Sequence, residues 1–244
     1  MISFGIDELI IQNPAWKSKR IGLVTNDAAT TNTGILSRTA LVQAGFTIVC
    51  LFTPEHGISA KAPDGEAQQN SMDTITGLPI ISLYGNKCMP TAQDLENIDL
   101  LLFDIPDIGA RFYTYLWTLT YVLEACAINK KKCIVLDRPN PVSGNFDAAE
   151  GPFLEESSSS FIGRWNIPIK HSATLGELAL YFNSTKNIGA SLTVVPVKNW
   201  DRDDLATDWG TNFVATSPAI QSLNSMLLYP GLCLLEATNI SEGR

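Results

Sequence analysis

Several apolar runs in this chain end on residues that can do chemistry. Thr53-Pro54-Glu55-His56-Gly57 places a carboxylate and an imidazole on a turn constrained by a proline and a glycine. Asp104 and Asp107 follow Leu100-Leu101-Leu102-Phe103, with Gly109 and Arg111 just beyond. Asp137-Arg138-Pro139-Asn140-Pro141 follows Cys133-Ile134-Val135-Leu136, and Asn26 ends the run from Arg20. Two carboxylates in one cleft can run general acid/base or nucleophilic chemistry when their surroundings push their pKa values apart. Each residue also has a plainer role open to it. Glu55 can cap a helix or pair with a surface lysine, and Asp104 or Asp107 can cap the helix near Arg111. Asp137-Arg138 can be a buried ion pair. His56 and His171 are the two histidines, and neither supports a metal site.

The elements that must position these residues alternate. Arg20–Asn26, Phe46–Phe52, Pro79–Leu83, Leu100–Ile105 and Cys133–Asp137 read as strands, and Leu192–Val197 as a later one. A helix is expected over Ile35–Ala44, closed by Gly45. Another carries Phe112, Tyr115, Leu116, Leu119, Val122, Leu123 and Cys126 at helical spacing, a stripe that reads as core. A third spans Thr174–Phe182, where Thr174 and Glu177 form a capping signature. The expected fold class is α/β and Rossmann-like: a mostly parallel sheet flanked by helices, with the start of a smaller C-terminal domain. The polar Glu156–Ser160 stretch suggests a division into 1–155, holding the catalytic core, and 156–244. In such a sheet, polar residues at the strand ends converge on one crevice.

Composition narrows the function. The 244 residues are 45% hydrophobic and 17% charged, which suits a sizeable core, and the net charge is −8. An acidic chain argues against a nucleic-acid partner and against an anionic membrane surface. The longest apolar run, Ile98–Ile105, is interrupted by Asp99 and Asp104, so no bilayer span is expected. The start, MISFGIDELIIQ, lacks the parts of an export signal. A cytoplasmic location is expected, or a periplasmic one if a signal has been trimmed. The five scattered cysteines form no CxxC pair, and Cys50, Cys126 and Cys133 read as core. GxGxxG, GxxxxGK[ST], HExxH and GxSxG are all missing, so no cofactor is expected. Carboxylate hydrolysis or plain ligand binding remains.

The ordered motifs RIGLVTN (Arg20–Asn26), LFTPEHGI (Leu51–Ile58), GLPIISLYG (Gly77–Gly85), LLFDIPDIGARFYTY (Leu101–Tyr115), VLDRPNP (Val135–Pro141), EGP (Glu150–Pro152) and YPGLCLLEATNISEGR (Tyr229–Arg244) resemble the exo-β-N-acetylmuramidase, NamZ-like family. The resemblance implies a Rossmann-like glycoside hydrolase that removes terminal N-acetylmuramic acid from the non-reducing end of peptidoglycan fragments. It also implies that Glu55, in the PEHG motif, is the catalytic glutamate. Asp104 or Asp107 is then the second carboxylate, with Glu150 and Glu242 behind them. The sugar's own acetamido group is the alternative nucleophile, which would leave one essential acid. Arg111 or Arg138 could clamp the lactyl carboxylate. Tyr113, Tyr115 or Trp117 could stack on a sugar face, with Tyr115 also on the core stripe. Asn26, Asn140 and Asn239 could meet hydroxyl and acetamido groups, and His56 also falls among the expected substrate contacts. The chain departs from its relatives at Pro106 and at His171-Ser172-Ala173-Thr174. Relatives continue beyond SEGR into a second domain. The expected partner is a small muramic-acid-containing sugar. The competing expectations are a non-catalytic sugar- or nucleotide-binding domain and a hydrolase of another acidic sugar.

Overall fold

The computed structural model describes residues 1–240. Its frame is a seven-stranded sheet built from β1 (Ile21–Val24), β2 (Ile48–Thr53), β3 (Ser71–Met72), β4 (Pro79–Ser82), β5 (Leu100–Phe103), β6 (Lys132–Leu136) and β7 (Ser191–Val195). The spatial order is β3-β4-β2-β1-β5-β6-β7. Every pairing is parallel except the edge pair β3–β4. Leu23 of β1 lies opposite Leu51 of β2 and Leu102 of β5.

The central strands are apolar at every position because both faces are covered. Side chains alternate across the sheet, so neighbouring residues enter opposite cores. Leu101 and Phe103 pack with Trp117, Tyr115 and Phe182 on one face. Leu100 and Leu102 pack with Ile6, Leu9 and Leu41 on the other. The first face is covered by α4 (Thr114–Ile128) and α5 (Leu175–Thr185), the second by α1 (Gly5–Gln12) and α2 (Ser37–Gln43). Helix α4 is buried almost all round its first two turns, which explains why its sequence is apolar beyond a single stripe. A four-residue α3 (Ala92–Leu95) and a C-terminal α6 (Leu223–Leu232) complete the α-helices of the described residues. No helix there is long and apolar enough to cross a membrane.

The expected strands and helices are present, with shorter ends. Helix α2 begins at Ser37 and stops before Gly45, whose φ of +83° takes the chain out of the helix. The capping signature is real: Thr174 Oγ1 accepts from Glu177 N, and the Glu177 carboxylate accepts from Thr174 N. The two-residue β3 had no sequence signal, being too short to show a period. A division at 155/156 cuts through one sheet, because β7 is hydrogen-bonded along β6 and α5 packs on α4. Even Ser3, near the start, bridges to Lys198 beyond β7.

Strand order reverses between β1 and β5: the chain adds β2 and β4 to one side, then β5, β6 and β7 to the other. The loops leaving β1 and β5 therefore part above the sheet's carboxyl edge, the usual place for a ligand crevice.

Candidate active site

Glu55 sits two residues beyond the end of β2, on a turn where His56 and Gly57 take φ of +67° and +68°. That left-handed turn brings the chain sharply back, and Glu55 is buried at its base. Its Oε2 accepts a 2.8 Å hydrogen bond from Thr114 Oγ1, and its Oε1 accepts one of 3.1 Å from Gly65 N. The Tyr84 hydroxyl is a third partner. Burial, followed by contact with Glu55, pushes that phenol up to about 12, so it stays protonated. Thr114 opens α4, so the carboxylate is braced between the β2 turn and the start of the central helix.

Glu55 faces a pocket whose walls include His56, Asp64, Tyr113, Tyr229 and Glu236. His56 Nδ1 lies 2.8 Å from the Ala62 carbonyl, and Nε2 lies 3.7 Å from Asp64 Oδ1. Tyr113 stands edge-on to Tyr229 at 6.0 Å between ring centroids. The pocket therefore holds three carboxylates beside aromatic walls. Among its described lining residues, His56 is the one side chain able to carry positive charge.

The carboxylates expected to join Glu55 lie elsewhere. Asp104 is fully buried and paired with Arg138, with Nε to Oδ1 at 2.7 Å and a second bond of 3.1 Å to Oδ2. This corrects both expectations: Asp104 has no access to a substrate, and Arg138 is not a free clamp. Arg138 also donates to the Thr30 carbonyl and lies over the Phe4 ring. Arg138 thus ties the β1 and β6 loops to the end of β5. Asp137 does not pair with it side chain to side chain. Asp137 instead accepts from Thr174 Oγ1 and Gly176 N, pinning the start of α5. Gly176 is needed there, since a Cβ would sit 2.6 Å from the Asp137 carboxyl carbon. Asp107 lines a separate cavity at the β1–β5 crevice, together with Arg138, Thr30 and Trp209.

The other expected contacts sort by what already holds them. The Arg111 Nη1 donates to the carbonyls of Pro152 and Ile167, which braces a loop, and Nε is buried without a partner among the described residues. Asn140 is spent on Ala173 O and Val142 N, and Asn26 Oδ1 accepts from Ala28 N. Both asparagines are buried; Asn140 is spent within the fold, whereas Asn26 Nδ2 is left without a partner among the described residues. Trp117 and Tyr115 have no exposed surface and bond to the Arg111 and Thr216 carbonyls, so neither can stack on a sugar. Tyr113 and His56 do line the Glu55 pocket. Glu150 is exposed in a different depression beside Lys170, and Asn239 is exposed on the final segment. Glu242 lies outside the described residues. Thr114, Tyr84, Asp64, Tyr229 and Glu236 were not singled out beforehand. Four of them sit inside the long motifs, but only folding joins Glu236 to a turn so distant in sequence.

Fold and site together define a doubly wound α/β protein with a carboxylate-centred pocket at the sheet's carboxyl edge. Comparison with known proteins is specific: the family described as exo-β-N-acetylmuramidase NamZ, N-terminal, matches residues 21–224, and the chain belongs to it. The chain is 44% identical over 246 aligned positions to peptidoglycan β-N-acetylmuramidase NamZ of Bacillus subtilis (strain 168). That match covers 100% of this chain and 59% of the relative. Two crystal structures of DUF1343 family proteins from Bacteroides fragilis NCTC 9343 superpose with TM-scores of 0.86 and 0.81. Their identities are 37% and 32%; the matches cover 96% and 100% of this chain, and 60% and 64% of theirs.

Proposed function

We propose that this chain belongs to an exo-acting glycoside hydrolase that releases terminal N-acetylmuramic acid from peptidoglycan fragments, with Glu55 as general acid/base. The observation that carries the reading is the Glu55 carboxylate itself. It is buried at a strand end, oriented by Thr114 and Gly65, and open to a pocket with aromatic walls. Thr114 and Tyr84 present hydroxyls to the carboxylate, so it is aimed before substrate arrives. Glu236 takes the place expected of Asp104 or Asp107 as the second carboxylate, since it shares the pocket. If the sugar's acetamido group is the nucleophile instead, Glu236 is dispensable. His56 is the basic side chain proposed to meet the lactyl carboxylate.

The test is hydrolysis of a chromogenic N-acetylmuramic-acid glycoside. Glu55→Gln is expected to lower kcat by about 10²- to 10⁴-fold, and unchanged turnover sinks the assignment. Glu236→Gln separates the two routes, since full activity in that variant favours the acetamido nucleophile. His56→Gln is expected to raise KM for the muramic glycoside more than for its N-acetylglucosamine counterpart. A parent chain that binds the sugar without turning it over favours a binding domain.

A further inference from the structure

The Asp107 crevice is built with more care than packing requires. Asp107 is 6% exposed, and its Oδ2 accepts from Gly109 N at 3.1 Å. His171 Nε2 stands 3.1 Å from the same oxygen. His171 Nδ1 accepts from Ala173 N, so the ring's proton sits on Nε2, facing the carboxylate. Gly109 N is the hydrogen-bond donor that fixes Oδ2, while the nearby His171 Nε2 is itself buried without a hydrogen-bond partner among the described residues. The other oxygen, Oδ1, is buried on the crevice wall without a partner. Trp209 lines the same crevice, and its indole Nε1 is likewise buried and unpartnered. An orphaned acceptor and an orphaned donor in the lining of one cavity are costly unless something else satisfies them.

Charge selects the class of ligand. Arg138 lines the crevice, but its charge is matched by Asp104 through two hydrogen bonds. Asp107 has no arginine or lysine paired with it among the described residues, so its carboxylate is the charge left facing the crevice. An anion is disfavoured there, and a neutral group that donates to Oδ1 and accepts from the indole is favoured. Phe4, Phe213 and Met226 supply apolar walls for a ring. The Glu55 pocket lies on the other side of a thin wall: Thr216 lines the crevice, Ser217 lines the pocket, and the Tyr113 hydroxyl meets both residues.

We propose that this crevice is a second binding site, for an uncharged sugar ring bearing hydroxyl or amide donors and an acceptor. The site stands on its own contacts and does not depend on the muramidase reading. The probe is N-acetylglucosamine, titrated against the whole chain while the indole N–H resonances are followed by NMR. Trp209→Phe identifies the Trp209 signal and removes the donor while keeping the ring. Asp107→Asn is the sharper variant. With Gly109 N donating at the Oδ2 position, the amide oxygen is expected to sit there, and the amide NH₂ then replaces the acceptor at Oδ1.

The Trp209 signal is expected to shift on titration, in the parent and equally in Glu55→Gln. Asp107→Asn is expected to weaken binding about tenfold or more, and Trp209→Phe several-fold. Glucuronic acid, an anionic control, is expected to leave the signal unmoved. The inference is overturned by an unmoved Trp209 signal, by parent-like affinity in Trp209→Phe, or by equal binding of glucuronic acid. Should Asp107→Asn fail to fold, Trp209→Phe and the anionic control still decide the matter. Loss of turnover in Glu55→Gln with the Trp209 shift intact separates this site from the proposed catalytic one.

Discussion

Replacing Arg138 with methionine tests whether this arginine is a brace or a clamp. In the structure it neutralises Asp104, which has no exposed surface, through bonds of 2.7 and 3.1 Å, and it donates to the Thr30 carbonyl at 2.7 Å. Methionine keeps much of the stem's contact with Phe4 but leaves Asp104 charged, buried and alone. Removing one partner of a buried pair costs about 3–5 kcal/mol, and the orphaned Thr30 carbonyl pushes towards the upper end. Against a total stability of roughly 5–15 kcal/mol, a loss of about 4 leaves a folded but fragile chain. With a urea m-value of about 3 kcal/mol per molar, the unfolding midpoint followed by tryptophan fluorescence falls by about 1.3 M. Asp104→Asn is expected to destabilise as well, by leaving the guanidinium unpaired. The double variant is expected to cost less than the sum of the singles by about 2 kcal/mol, because the lone charge is gone. A midpoint change of less than about 0.3 M in Arg138→Met, or singles that add within about 0.5 kcal/mol, would refute the brace. A raised KM for the muramic glycoside with an unchanged midpoint would restore the clamp.

Asp137 gives a pH signature. Burial pushes its carboxyl up to about 6, against hydrogen bonds from Thr174, Gly176 and the Arg138 amide that pull it down. The unfolded chain ionises it near 3.8, so between the two values the folded state holds a proton that the unfolded state has lost. Its contribution is intact below pH 3.8 and lost above about pH 6, a fall of about 3 kcal/mol at 1.36 kcal/mol per pH unit. Asp137→Asn is expected to flatten that part of the stability profile, read as urea midpoints from pH 4 to 7; an unchanged slope contradicts the assignment. Gly5→Ala would place a methyl carbon 2.3 Å from the Asp137 backbone nitrogen and 2.6 Å from the Val195 carbonyl oxygen. Backbone cannot yield there, so a loss of about 3 kcal/mol is expected, and an unchanged melting temperature would contradict the packing. Thr114→Val removes the hydroxyl on Glu55 Oε2, and kcat/KM for the muramic glycoside is expected to fall about 10- to 100-fold. A melting temperature unchanged within about 3 °C would mark that loss as positioning and not collapse.

Most of the frame was legible in the sequence because it depends on local patterns. A strand covered on both faces must be apolar throughout, so Leu100-Leu101-Leu102-Phe103 and Cys133–Leu136 announce themselves. Thr174 and Glu177 announce a helix start because both halves of the capping box lie within one turn. The place of Glu55 on a turn after β2 was legible too, since a proline and a glycine flank it at a strand end, although its role was not.

What tertiary structure decided was partnership. Asp104, Asp107 and Glu55 look alike as carboxylates after strands, and nothing local tells them apart. Asp104 is claimed by Arg138 from the neighbouring strand end, Asp107 by His171 from a distant loop, and Glu55 by Thr114 from the central helix. Arg111 reads as a candidate clamp until the fold turns its Nη1 onto the carbonyls of Pro152 and Ile167. Glu236 joins Glu55 only because the last segment folds back over the pocket. A side chain's type and its place after a strand are local properties of the chain. Whether its charge is neutralised or left facing a ligand depends on which remote residue arrives within 3 Å, and that is set only when the sheet assembles.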